Sequence, residues 1–139
     1  MRPNIDEYYL GIALAVSKRS TCIRRQYGAV IVNNDEIIAT GYNGSPRGET
    51  NCCDRGTCER IKNNTPHNSG DYSDCCSVHA EQNCLLSASR RDMIGGTLYL
   101  MGTEMYNVIN DIKPCPICRR LIKNAGISRV VTAKGDIEI

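Results

Sequence analysis

The sequence predicts an α/β fold, a mixed central β-sheet with helices packed on both faces, in one domain spanning residues 1–139. Three observations carry that reading. Apolar residues recur at helical spacing near the N-terminus, two short β-rich runs follow, and helix and strand then alternate through the C-terminal half. Phe and Trp are absent, so the core must rest on Ile, Leu, Val and Ala, which suits a sheet covered by helices.

The elements follow in chain order. Ile5, Tyr9, Ile12, Ala13 and Val16 mark a first helix from Ile5 to about Ser20, with Asn4 as its cap. Residues 29–32 and 36–40 read as antiparallel strands joined at Asn33-Asn34-Asp35. A turn-rich run from Gly41 to Gly48 leads into a polar, Cys-dotted stretch ending near Cys76, an irregular segment long enough to need a stabiliser beyond burial. A second helix runs from His79 to about Ser89, and Gly95-Gly96 ends that unit. Residues 97–101 form a strand, 116–125 a helix stopped by Gly126, 129–132 a strand, and 137–139 a short closing strand.

Composition narrows the function classes. The net charge is only +2, and the doublets Arg24-Arg25, Arg90-Arg91 and Arg119-Arg120 are dispersed, so a long nucleic acid partner is not indicated. Asp6 and Glu7 stand where a secretion signal needs an apolar run, and no segment approaches membrane-spanning length; a cytoplasmic protein with no membrane association is expected. Nine Cys, an odd count in such a context, point to metal thiolates rather than disulfides.

The chemistry sits in His79-Ala80-Glu81 and Pro114-Cys115-Pro116-Ile117-Cys118. One imidazole and two thiolates make three zinc ligands, leaving the fourth tetrahedral position open as a catalytic site requires. Each half lies where a helix begins, so both positive helix ends favour thiolate there. Glu81 is two residues from His79 and therefore points elsewhere, beside the ligand sphere rather than in it. The paired motif resembles the signature of zinc-dependent nucleobase deaminases. On that pattern Glu81 takes a proton from metal-activated water adding at C4 of cytosine, then delivers protons to N3 and the departing amine.

Across nearly the whole chain the sequence resembles the deoxycytidylate (dCMP) deaminase family of the cytidine deaminase superfamily. The resemblance includes Arg19-Ser20-Thr21-Cys22, residues 28–32, residues 40–46, His79 to Asn83, Pro114 to Cys118 and Asn124 to Ile127. It implies a three-layer cytidine deaminase-like fold and conversion of dCMP to dUMP and ammonia, which supplies the precursor of thymidylate in pyrimidine nucleotide metabolism. It also implies a homo-oligomer, often a hexamer, regulated by dCTP and dTTP. Asn43 matches the position that contacts the sugar, or is alternatively a turn-forming Asn. Arg19 and Arg25 are candidates for the 5′-phosphate, or solvated surface side chains, and Ala80 is a further substrate-binding candidate. Arg90 lies where members place a basic residue near the active site or a subunit contact.

Relatives often tether the irregular segment with a second, structural zinc. Cys22 and Cys52 match ligand positions there, Cys58 and Cys75 complete the set, and Cys53, Cys76 or His67 are substitutes; the alternative is that these are ordinary reduced thiols. Cys84 is expected in the core of the second helix. Two segments depart from the family pattern: a polar insertion, Gly102 to Lys113, before Pro114, and a C-terminus lacking the usual Tyr-containing segment and extra helix, which shifts phosphate recognition toward groups such as Lys134 or a neighbouring subunit. Rival functions are an RNA, single-stranded DNA or free-nucleoside cytosine deaminase, and a non-catalytic zinc-stabilised binding module.

Overall fold

The computed structural model describes residues 1–139. Strands β1 (Gln26–Asn33) and β2 (Glu36–Tyr42) form an antiparallel hairpin. Its turn is only Asn34-Asp35, both at positive φ (52° and 59°), the backbone a tight two-residue hairpin requires. On its other side β1 pairs antiparallel with β3 (Thr97–Glu104), which pairs parallel with β5 (Arg129–Thr132). Strand β6 (Gly135–Ile137) closes the edge, giving the order β2-β1-β3-β5-β6. The closing strand thus falls two residues earlier than expected, because Gly135 at φ 94° lets the chain reverse just after Thr132.

Alternation along each strand splits the core between the two faces. Ala29, Ile31, Leu98, Leu100 and Val130 face one way; Val30, Val32, Tyr99, Met101 and Val131 face the other. Helix α1 (Ile5–Ser17) covers the second face with Tyr9 and Ala13. Its cap is Asn4, whose side chain accepts from the Glu7 N–H. It stops three residues short of the expected end, because Ser20 leaves the helix to donate its hydroxyl to Asn43. Helices α4 (Ala80–Leu86), α5 (Arg90–Met93) and α6 (Pro116–Asn124) cover the first face through Cys84, Met93 and Ile122. The expected second helix ends about three residues early, at Leu86, where Ser87 terminates α4; α5 is a further one-turn helix the sequence did not predict, capped by Ser89 accepting from Asp92 N–H.

Two glycines set the layer spacing. A Cβ on Gly28 would collide with Ala13 O and Ser17 N of α1, and one on Gly41 with Ala80 O and Cys84 N of α4. Each helix backbone therefore rides directly on the sheet.

Between β2 and α4, residues 45–77 leave the sheet as a long excursion. It holds only two one-turn helices, α2 (Cys52–Arg55) and α3 (Glu59–Lys62). Its ends are clamped where Gly44 and Val78 exchange both backbone hydrogen bonds, at 3.1 and 2.7 Å. The 102–113 insertion is not a plain polar loop: β3 runs on to Glu104 and turns at Met105-Tyr106 into β4 (Asn107–Val108). Pairing of Gln26 and Tyr27 with Thr103 and Gly102 carries the strand past Met101, and Ile112 then buries against the core.

Candidate active site

The N-termini of α4 and α6 meet at one end of the first face. His79 caps α4, its N–H donating to the Gln82 side chain at 2.8 Å. Cys115 caps α6, its sulfur accepting from Cys118 N–H at 3.4 Å, with Pro116 in the first turn where no amide donor is required. His79 Nδ1 lies 3.5 Å from Cys115 Sγ and 3.3 Å from Cys118 Sγ, and the three ligand atoms all fall within 4.8 Å of one another. Zinc–sulfur and zinc–nitrogen bonds of about 2.3 and 2.0 Å at tetrahedral angles put such atoms about 3.6 Å apart, so the spacing fits zinc. Three donors leave one coordination position for a reactant.

The electrostatics divide the cluster, preparing Cys115 as a thiolate while one proton stays on its partners. Cys115 is held down at about 4, first by its hydrogen bond with Cys118 and then by that with His79, while Cys118 is pushed up because it keeps the proton the pair shares. Hydrogen bonding to Cys115 raises His79. Glu81, in the first turn of α4, is 5% exposed and does not belong to the donor cluster. Burial raises its carboxyl above the ordinary range, toward the neutral form that a group exchanging protons needs. Cys84 is a core thiol, donating to Ala29 O and Ala39 O, with burial pushing it up to about 12.

Asn43 is 6% exposed and works as a bridge rather than in a turn. Its Oδ1 accepts from Tyr27 N–H (2.9 Å) and Ser20 Oγ (2.6 Å), and its Nδ2 donates to Arg25 O (3.0 Å). One amide hydrogen remains for a ligand. Arg25 Nε donates to Glu104 at 3.2 Å and its Nη1 to Tyr27 Oη at 3.3 Å. Arg19 is exposed in the turn after α1, and Ala80 is fully buried, so only its backbone can serve a ligand. Arg90 opens α5 beside Arg91 and Ile94 on an open groove, and Lys134 Nζ is paired with Asp111 at 3.2 Å.

Residues 3–134 match the cytidine and deoxycytidylate deaminase zinc-binding region. The chain belongs to that deaminase family. It is 42% identical over 137 residues to the deoxycytidylate deaminase of Mycobacterium phage D29, covering 96% of this chain and 97% of the relative. The deoxycytidylate deaminase of Schizosaccharomyces pombe is 40% identical over 94% of this chain, which spans only 37% of that longer protein. The crystal structure of the cyanophage S-TIM5 dCMP deaminase in complex with dCMP and dUMP superposes with a TM-score of 0.67 at 31% identity, covering 95% of this chain and 82% of that one. The mixed sheet with helices on both faces is thus the three-layer fold of these deaminases, and the His-Cys-Cys cluster lies within the matched zinc-binding region.

Among the other cysteines only one pair comes to metal-ligand spacing, with no third donor close enough to complete a cluster. Cys52 Sγ lies 3.9 Å from Cys76 Sγ, and Arg55 Nη2 donates to both at 3.5 and 3.6 Å. Burial raises Cys75, and the thiols of Cys22, Cys76 and Cys58 add to the effect. Cys53 is exposed and its N–H donates to Thr21 O. Sequence reasoning missed Tyr27, Glu104, Arg60 and Tyr72; none has a periodic or motif signal, and each reaches the site only through pairing or the long excursion.

Proposed function

We propose that the chain is a single zinc-dependent domain, residues 1–139, that hydrolyses dCMP to dUMP and ammonia. The observation that carries this reading is the buried carboxyl of Glu81 beside a three-donor cluster with one position left for a reactant. His79, Cys115 and Cys118 would hold the metal. When bound, zinc supplies Lewis acidity that makes water a usable nucleophile near neutral pH. Glu81 takes a proton from the water that adds at C4 of cytosine and passes it to N3. It then carries the second proton to the exocyclic amine as the C4–N bond breaks, so that ammonia leaves and uracil remains.

The remaining N–H of Asn43 suits a sugar hydroxyl, and the backbone of Ala80 suits the edge of the base. For the 5′-phosphate we assign Arg25, with Arg24, whose Nη1 is buried with no hydrogen-bond partner, beside it; Arg19 is the outer candidate. Lys134, paired with Asp111 as Arg25 is with Glu104, is the alternative. A second zinc would be drawn from Cys22, Cys52, Cys58 and Cys75, with Cys76 as the substitute that their crowding supports. Exposed Leu86, Ile94, Ile117 and Leu121 support a homo-oligomer, with hexamer and dCTP/dTTP control resting on the family resemblance. Nine free thiols suit the reducing cytoplasm, and no helix is long and apolar enough to cross a membrane.

Ammonia release by zinc-loaded protein from dCMP, deoxycytidine and a cytosine-containing single-stranded oligonucleotide tests the reading. We expect dCMP to be preferred over the nucleoside by about tenfold to a hundredfold in kcat/KM, the worth of a charge-assisted phosphate contact. Equal use of nucleoside and nucleotide overturns the nucleotide assignment, and no turnover of any of the three overturns the enzyme.

A further inference from the structure

The excursion between β2 and α4 is organised by a charge. Within residues 45–77 the buried side chains are Cys58 and Arg60, and Arg60 is only 3% exposed. Its Nη1 donates to Asp74 Oδ1 at 3.0 Å and its Nη2 to Pro66 O and Ser69 O, each at 2.9 Å. The guanidinium carbon stands 3.6 Å over the ring of Tyr72. One side chain therefore gathers four points of the chain between Pro66 and Asp74. A buried guanidinium is tolerated because a carboxylate and two carbonyls replace its water, and because its flat face matches an aromatic ring.

The same ring reaches the reaction centre. Tyr72 and His79 are 6.2 Å apart between ring centroids at 74°, an edge-to-face contact. Tyr72 holds a positive φ of 64°, a left-handed backbone that is unfavourable for a bulky residue and persists only where its surroundings enforce it. Asn68 N–H also donates to Tyr72 Oη at 2.8 Å.

We infer that Arg60 is a positioning residue: by pinning the Tyr72 ring against His79, it lets the polar excursion, rather than the sheet, fix the outer side of that imidazole. The inference rests on the reading of His79 as a metal ligand and adds a second support to it. Without the pin, Tyr72 loses the contacts that hold its strained backbone, and the imidazole loses its edge-to-face neighbour. A displacement of about 1 Å near reacting atoms costs about a hundredfold in rate, so a partial loosening should cost about tenfold.

The chain has only two histidines, which makes the contact directly observable. In zinc-loaded protein carrying labelled histidine, with His67→Asn assigning the second imidazole, Arg60→Met and Tyr72→Leu should move the His79 ring-proton shifts in the same sense, and Tyr72→Phe should leave them in place. In dCMP turnover both disruptive variants should lower kcat by about tenfold with KM within about threefold. Their double variant should be no slower than the slower single, because Arg60 acts through Tyr72. Arg60→Lys keeps the charge without the planar fork and should fall between parent and Arg60→Met, which serves if the Met variant folds poorly. Unchanged His79 shifts in Arg60→Met and Arg60→Lys, or losses that multiply in the double variant, overturn the inference. If the parent does not deaminate dCMP the proposed function fails, yet the imidazole shifts still decide the positioning role.

Discussion

The metal-binding end of α4 and α6 and the excursion over it hold their shapes by opposite means. Beneath His79 and Cys115 the packing is apolar and close: Ala80, Cys84, Cys118 and Ile122 are fully buried, and Gly41 admits α4 onto the sheet. The excursion buries almost nothing apolar and is held by Arg60, by its clamped ends at Gly44 and Val78, and by crowded thiols. Apolar packing is insensitive to charge and loses geometry only when volume changes. A polar scaffold depends on every partner being present, because an orphaned buried group costs more than a satisfied one contributes. The His-Cys-Cys cluster therefore sits on the packed side, and adjustable contacts are left to the other.

The sharpest break of that contrast separates chemistry from scaffold. Glu81→Gln fills the same space but cannot accept a proton, so dCMP turnover should fall by about 1,000-fold, roughly 4 kcal/mol, with zinc content unchanged. Zinc analysis and ammonia release on one preparation decide this, and Cys115→Ser or Cys118→Ser should instead lose metal first. Next in size is Gly28→Ala, which puts a methyl against the backbone of α1 and should cost about 3 kcal/mol in denaturant unfolding. That variant probes the packed side alone, and limited proteolysis should still find the excursion protected wherever the protein is folded.

Smaller effects test the excursion. Cys22→Ser should reduce metal from about two to about one zinc per chain and lower stability by about 2 kcal/mol, roughly 4–8 °C in Tm, while the catalytic metal stays. One zinc in the parent, unchanged by the substitution, removes the second site. The mildest is pH. His67 is lowered from 6.5 to about 4, first by burial and then by Arg25 and Arg24, so between those values the unfolded chain binds a proton that the folded one refuses. Stability should therefore fall as pH drops from about 6.5 toward 4, and proteolysis within residues 45–77 should rise in that window. His67→Asn should flatten the profile, and an equal slope in the variant counts against the assignment.

Reading the sequence for local pattern worked where a feature was itself local. The helix start at Asn4, Pro116 in the first turn of α6 and the burial of Cys84 follow from capping, proline geometry and periodicity, and all are observed. Boundaries slipped where a distant partner intervened. β1 begins at Gln26 rather than at residue 29 because it pairs with the far end of β3, and α1 ends early because Ser20 turns to Asn43. Asn43 was legible as a residue of consequence, but its role as a bridge among Ser20, Arg25 and Tyr27 was not, since its three bonds run to residues 16 to 23 positions earlier in the chain.

By itself the sequence determined a spacing: His79, Cys115, Cys118 and Glu81 stand as three-donor metal binding and proton transfer would require, and each half of the pattern lies at a helix start whatever the rest of the chain does. Only the tertiary structure decided that the two helix starts meet, with His79 Nδ1 within 3.5 Å of both sulfurs, because that depends on Gly41 bringing α4 onto the sheet beside α6. It alone also decided that Arg60, 19 residues before His79 in the sequence, reaches it through Tyr72. A buried polar scaffold has no repeat to read, since its bonds run to whichever carbonyls and carboxylates the folded chain brings near, and those partners exist only once the excursion has closed on itself.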